Sequence, residues 1–259
     1  MSTDQRSKDW YNQHAERYTQ HVRNPKESIY HSLYEKPAMY SLLPGLKGKS
    51  VISIGCGSGE DCKYLKSLGA ERVVGIDISE KLIEIAKQSY PDCEFYVMDM
   101  EKLNFIDASF DFAYSSLAIH YIEDWHKVLA EVYRILKPYS YFLFSCDHPV
   151  SSSMDVISDD GVIKTSQLQR VKDRSNNTVK ITGDYLSRRA IKLDGDDKMA
   201  VTTWQKSIGE ISREVADTNF VIANIIEPVP LLKMKDISQA DYDTLIKIPS
   251  FIIFKLQKL

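Results

Sequence analysis

The chain has 259 residues, 43% of them hydrophobic and 27% charged, which is enough apolar side chain to bury one sizeable core. Its net charge of −3 and pI near 6.1, with Lys and Arg dispersed, leave no electrostatic footprint for nucleic acid or an anionic membrane. No apolar run approaches a membrane span, and the polar start MSTDQRSKDW lacks the apolar core of a signal peptide, so a cytoplasmic protein is expected.

Tyr11, Ala15, Tyr18 and Val22, spaced four, three and four apart, mark one face of a helix over 7–22. That helix either packs on the main domain or forms a lid carrying Tyr11 or Tyr18 over a ligand, and the two are compatible. A second helical stretch over 28–42 ends before the turn signal Pro44-Gly45. Strands and helices then alternate. A strand at 50–55 leads to a helix at 59–68 closed by Gly69. The strand VVGID at 73–77 precedes a helix capped by Ser79, with Leu82, Ile85 and Ala86 on one face. Strands follow at 93–99 (CEFYVMD) and 110–116 (FDFAYSS). Asp124 caps a helix with Val128, Leu129, Val132 and Leu136 inward; Pro138 stops it before the strand YFLFS at 141–145. Such alternation, with no internal repeat, predicts an α/β, doubly wound, mostly parallel sheet covered on both faces. Right-handed crossovers bring the strand C-terminal ends to one edge, where ligands bind.

The alternation breaks at about 149. From there to 202 the chain is polar and turn-rich, with short runs such as TVKITGDY and RRAIKL that read as hairpins. It is an insertion after the fifth strand, either a cap over the ligand edge or an oligomer contact. A helix near 203–217 and strands at 219–227 and 249–257 complete the sheet. The whole reads as one domain: a helical lid (1–44), a cofactor-binding core (45–148), the cap (149–202) and the C-terminal part of the sheet (203–259). Cys56, Cys62, Cys93 and Cys146 show neither CxxC spacing nor a ligand-like cluster; free thiols account for them, and no metal site is expected.

The stretch VISIGCGSGED at 51–61 is the strongest local signal. Gly55, Gly57 and Gly59, with Cys56 in the same turn, let the backbone turn tightly and let a ligand approach main-chain N–H groups. The helix behind them points its positive end into the same space. Strand, glycine turn and helix make a nucleotide-cofactor cradle. A dinucleotide fingerprint wants a third small residue where this chain has Glu60, which speaks against NAD. Asp77 ends the second strand 22 positions after Gly55, close to the roughly 20 expected of a carboxylate on ribose hydroxyls. Asp99, ending the third strand, either accepts the adenine amine or is a solvated strand end.

Taken in order, VISIGCGSGE, VVGIDIS, FYVMDME, FDFAYSSLAIHYIEDW and VLAEVYRILKP resemble a class I S-adenosylmethionine-dependent methyltransferase over roughly 37–149. The group resembled is the small-molecule one that includes ubiquinone/menaquinone-biosynthesis type enzymes. The resemblance implies a seven-stranded Rossmann-like methyltransferase fold with a last antiparallel strand, which NFVIANIIE and PSFIIFKLQ fit. It implies Gly55, Gly57 and Gly59 around the methionine part of S-adenosyl-L-methionine, Asp77 on the ribose and Ile78 against the adenine. It puts Asp99 on the adenine amine with Met100 beside it, and Ser115 and Ser116 near the sulfonium. Tyr11, Tyr18 and Tyr121 offer aromatic faces to that cation. Two positions depart from the pattern: Ser53 stands where an acid is usual, and Tyr139-Ser140 replace a glycine pair.

The implied reaction is methyl transfer to an O or N atom of a small organic acceptor, leaving S-adenosyl-L-homocysteine. The protein has to align the acceptor with the S–CH₃ bond and exclude water. His120 and His148, after the fourth and fifth strands, are the candidate bases, since unperturbed histidine titrates near 6.5; the alternative is a packing role for each. YSSLAI stands where amino-methylating DNA enzymes have an Asn/Asp-Pro-Pro-aromatic motif, and no basic tract is present, so no nucleic-acid partner is expected. The expected partner is a small-molecule acceptor, with no membrane and a monomeric or homodimeric state. An NAD-dependent oxidoreductase and a non-catalytic cofactor-binding protein remain the alternatives.

Overall fold

The computed structural model describes residues 4–153, 168–173, 178–183, 185–193 and 200–259. Two helices, α1 (Gln5–Gln13) and α2 (Ala15–Arg23), stand where the spacing predicts one. The break is at His14, whose ring stacks on Trp10 at 4.6 Å and whose Nδ1 lies 2.9 Å from the Trp10 carbonyl. A π-helical turn, His31–Glu35, runs directly into α3 (Lys36–Ser41), so the second helical stretch carries one widened turn.

The alternating core follows as β1 (Ser50–Ile54), α4 (Glu60–Ser67), β2 (Arg72–Asp77), α5 (Glu80–Ser89), β3 (Glu94–Val97), β4 (Phe110–Ser115), α6 (Trp125–Ile135) and β5 (Leu136–Asp147). Ser79 caps α5 by accepting from the Leu82 N–H, and Asp124 caps α6 by accepting from the His126 N–H, as their positions predict. Three boundaries move. The third strand is shorter than 93–99. The helix before Pro138 ends at Ile135, because the residues before a proline are pushed towards extended backbone, and β5 starts at Leu136. Tyr139 sits inside that strand at φ 62°, the left-handed conformation that a glycine would take without strain.

After a short helix α7 (Pro149–Ser152), the described parts of the insertion form two antiparallel hairpins. β6 (Leu168–Asp173) pairs with β7 (Thr178–Gly183), and β8 (Arg189–Lys192) pairs with β9 (Thr202–Gln205). The rest of the expected cap, apart from 185–193 and 200–202, lies outside the described residues. The helix expected from 203 begins only at Ile208: α8 is Ile208–Asp217, capped by Ser207, and the residues before it are strand. β10 (Phe220–Ile226), a 3-10 turn at Leu232–Asp236, α9 (Gln239–Leu245) and β11 (Phe251–Lys258) close the chain; the 3-10 turn and α9 carry no periodic signal and are not expected from sequence.

The main sheet has seven strands in the order β10-β11-β5-β4-β1-β2-β3. β5, β4, β1, β2 and β3 are mutually parallel, and β11 is antiparallel to both β5 and β10. This is the doubly wound Rossmann-like methyltransferase arrangement. β1 explains why the sheet is covered twice: Ile52 and Ile54 pack with Val128, Leu129 and Val132 of α6, while Val51 packs with Leu65 of α4 and Ile83 of α5. All three β1 residues are essentially inaccessible, so the strand carries apolar side chains on both faces, interrupted only by the buried Ser53. Among the described residues no helix is long and apolar enough to cross a membrane.

Candidate functional site

At the C-terminal end of β1 the chain enters the glycine turn. Gly55 has φ 68° and Gly57 φ 54°, both left-handed. A Cβ on Gly55 would fall 2.3 Å from the Ala118 Cβ, so only glycine lets the turn meet the loop after β4. The Cys56 N–H donates to the Ile76 carbonyl, tying the turn to β2. Asp77, at the end of β2, accepts from the Gly57 N–H with one carboxylate oxygen and from the Ser79 N–H with the other, both at 2.9 Å. Burial pushes the Asp77 carboxyl up, and the backbone donors Ser79, Gly57 and Ile78 pull it back. Its roughly four lone-pair sites exceed these donors, which leaves capacity for a ligand.

These groups line a cleft at the C-terminal edge of the sheet, the usual place for a ligand in such an arrangement. Its walls are Gly55, Gly57, Asp77 and Ser116 on the polar side and Ile76, Ile78, Leu82, Met98 and Met100 on the apolar side. Tyr11 and Tyr18 close it from the N-terminal helices, and Tyr121 closes it from the loop after β4. The Tyr11 and Tyr121 hydroxyls are 2.6 Å apart, and the Tyr11 and Tyr18 rings meet edge-on at 5.3 Å. Further ties hold α1 and α2 over the cradle: Lys8 to Glu80 at 2.6 Å, Ser79 to Asn12 at 2.7 Å, and Arg23 to Glu60 at 2.7 Å. Glu60, at the start of α4, is thus occupied by a lid arginine.

A second, more open cavity adjoins the first, and Tyr11, Tyr18, Ser116, Leu117 and Tyr121 line both. Its other walls include His31, His120, Asp147, Leu193, Val201 and Thr203, so the β8–β9 hairpin reaches it. His120 is buried; its Nδ1 accepts from the Asp147 N–H at 3.3 Å and lies 3.9 Å from the Asp147 carboxylate. His31 is held neutral, its value lowered to about 4, first by burial and then by the Lys36 cation. Between the cavities Leu117 adopts φ 49°, a conformation that costs a non-glycine residue roughly 1–2 kcal/mol.

Not every expected residue faces these cavities. Ser115 is buried and donates to the Ile54 carbonyl, bracing β4 against β1. Cys56 is buried under Gly75, and Gly59 faces Phe95 and Tyr90. Asp99, between the lining residues Met98 and Met100, is half-buried and accepts from the Glu101 N–H at 3.0 Å. His148 points away. It is buried, its Nδ1 accepts from the Val150 N–H to cap α7, and its Nε2 lies 2.9 Å from Glu227, so its neighbours give it a bracing role. His31 and Glu35 are absent from the expected set. An acid and a histidine inside an apolar helical stretch are the only hint in sequence, and the π turn rotates them to positions that a period of 3.6 does not indicate.

Residues 52–144 match the family model described as a methyltransferase domain. Over 128 residues the chain is 37% identical to an uncharacterized protein of Haemophilus influenzae, covering 46% of this chain and 50% of that one. It is 28% identical to the malonyl-[acyl-carrier protein] O-methyltransferase of Pectobacterium atrosepticum over 41% of this chain and 42% of the relative. The chain thus spans half or less of the length of these curated relatives. A crystal structure of an S-adenosylmethionine-dependent methyltransferase from Mesorhizobium loti is similar over 86% of this chain and 97% of that one, with a TM-score of 0.71 and 27% identity.

Proposed function

We propose, from the premise that the chain is a class I S-adenosylmethionine-dependent methyltransferase, that it methylates an O or N atom of a small organic acceptor in the outer cavity. The carrying observation is the junction of the two cavities. A largely apolar cradle opens at Ser116, Leu117 and the three tyrosines onto a space whose lining includes His31 and His120.

The cradle fits S-adenosylmethionine. The aliphatic walls suit an adenine, the spare lone pairs of Asp77 suit ribose hydroxyls, and the glycine turn leaves room where a Cβ would clash. Met98 and Met100 flank the adenine side, with Asp99 between them for the exocyclic amine. When bound, the cofactor supplies an activated methyl on a sulfonium. The protein's part is alignment and exclusion of water. Tyr11, Tyr18 and Tyr121 present aromatic rings where a cation would lie, and the lid they belong to keeps solvent out. His120 is the group placed to orient the acceptor: with Nδ1 accepting the Asp147 N–H, its neutral ring carries the proton on Nε2. To receive a proton from the acceptor it must first take the other tautomer, with Nδ1–H turned to the Asp147 carboxylate 3.9 Å away. The likeness to a malonyl-[acyl-carrier protein] O-methyltransferase favours oxygen as the acceptor atom. The reading includes a cytoplasmic protein without a nucleic-acid partner.

His120→Gln and His148→Gln separate the roles. With an acceptor found by screening small carboxylic acids, phenols and amines for S-adenosylhomocysteine release, His120→Gln is expected to lower kcat by about 10²-fold or more. His148→Gln acts mainly on stability. If His120→Gln turns over within a few-fold of the parent, the base role is wrong.

A further inference from the structure

We propose that Glu35 is a positioning residue of this site, whose carboxylate fixes, through Ser116 and Ser145, the left-handed turn at Leu117 that separates the two cavities. This inference rests on the methyltransferase reading above.

Glu35 is the last residue of the π-helical turn and has no accessible surface. One of its oxygens accepts from the Ser145 hydroxyl at 2.6 Å and from the Ser116 hydroxyl at 2.9 Å. Ser145 in turn accepts from the Leu117 N–H at 3.0 Å. A relay therefore runs from the N-terminal segment, across the ends of β4 and β5, to the backbone of the one lining residue held at positive φ between the cavities. Ser116 and Leu117 line both cavities, so a shift in this turn moves the cofactor wall and the acceptor wall together. Strain at such a position persists only when the surroundings over-determine it. The other Glu35 oxygen is buried without a hydrogen-bond partner. A carboxylate kept in such a place is costly unless its bonds serve something. Two hydroxyls bonded to one Glu35 oxygen tie the ends of β4 and β5 together at the strained turn.

The test uses the full chain as wild type, Glu35→Ala, Glu35→Gln and Ser145→Ala. The first readout is hydrogen exchange at the Leu117 amide in the unliganded protein. The second is calorimetric affinity for S-adenosylhomocysteine, and the third is the split between kcat and KM. Glu35→Ala and Ser145→Ala are expected to speed Leu117 exchange by about tenfold and to weaken binding by about tenfold. Glu35→Gln, whose amide oxygen still accepts from both serines, is expected to recover most of both losses. A role in stability alone would lower the unfolding midpoint and leave Leu117 exchange and affinity in step with wild type, which would overturn the proposal. Should Glu35→Ala fail to fold, Ser145→Ala and Glu35→Gln decide it. Failure of the wild type to bind S-adenosylhomocysteine would sink the methyltransferase reading; the exchange readout would still test the relay.

Discussion

At Asp77 each carboxylate oxygen already holds a backbone N–H, so the side chain is fixed before any ligand arrives. Asp77→Ala should leave the fold intact and abolish cofactor binding, whereas Gly55→Ala should damage the turn itself, because its Cβ overlaps that of Ala118. Glu35 makes a pH prediction. Burial first, then repulsion from Asp61, pushes its carboxyl up to about 7 from 4.5, against the pull of Ser145, Lys36 and Ser116. Lys36 is itself taken by Asp61 at 3.0 Å, and the Tyr40 and Tyr114 phenols complete the surroundings. A folded value above the unfolded one means the native state binds the proton more tightly. This contribution is therefore fully present below about pH 4.5 and lost as the pH rises through about 7. Denaturant titrations from pH 5 to pH 8 should show wild type losing on the order of 2–3 kcal/mol relative to Glu35→Gln. Equal pH dependence in the two proteins would contradict the assignment. Asp77 and the glycines are readable from sequence because the backbone needs those residue types there. The Glu35 relay is not, since Ser116 and Ser145 lie 81 and 110 positions away.

The N-terminal helices and the loop after β4 act as one element, joined by the Tyr11–Tyr121 hydroxyl contact. Tyr11→Phe removes that contact while keeping the ring, and a net hydrogen bond is worth about 0.5–1.5 kcal/mol. S-adenosylhomocysteine should then dissociate roughly two- to tenfold faster in stopped flow; an unchanged rate would mean the latch is incidental. The sequence indicates the helical face of Tyr11 and Tyr18 but not the break at His14, where the backbone leaves helical geometry and the ring stacks on Trp10. α9 escapes notice for a different reason. Met234 and Leu245 pack with Leu33 and Tyr34, so the segment is held by partners distant in sequence and carries little periodicity of its own. His148 shows the same limit: its position after β5 is legible, but the turn of its ring towards Glu227 is a tertiary fact.

Across the whole molecule, the parallel strands were legible because burial on both faces leaves near-continuous apolar runs such as 73–76. The place of β11 between β5 and β10 follows from no local pattern and is known to sequence only through the resemblance. Away from the site, Lys206 is fully buried against Glu214 at 2.5 Å, and burial lowers its value to about 8 despite that partner. Glu214→Ala leaves the ammonium uncompensated and should cost about 3–5 kcal/mol in equilibrium unfolding, with little change in ligand affinity of the folded fraction. The most direct measurement is calorimetric titration of wild type and Asp77→Ala with S-adenosylhomocysteine and, in parallel, with NAD. Binding of S-adenosylhomocysteine at about micromolar Kd, lost in Asp77→Ala, is the predicted result. Binding of NAD alone would contradict the methyltransferase assignment and leave a likeness of fold only.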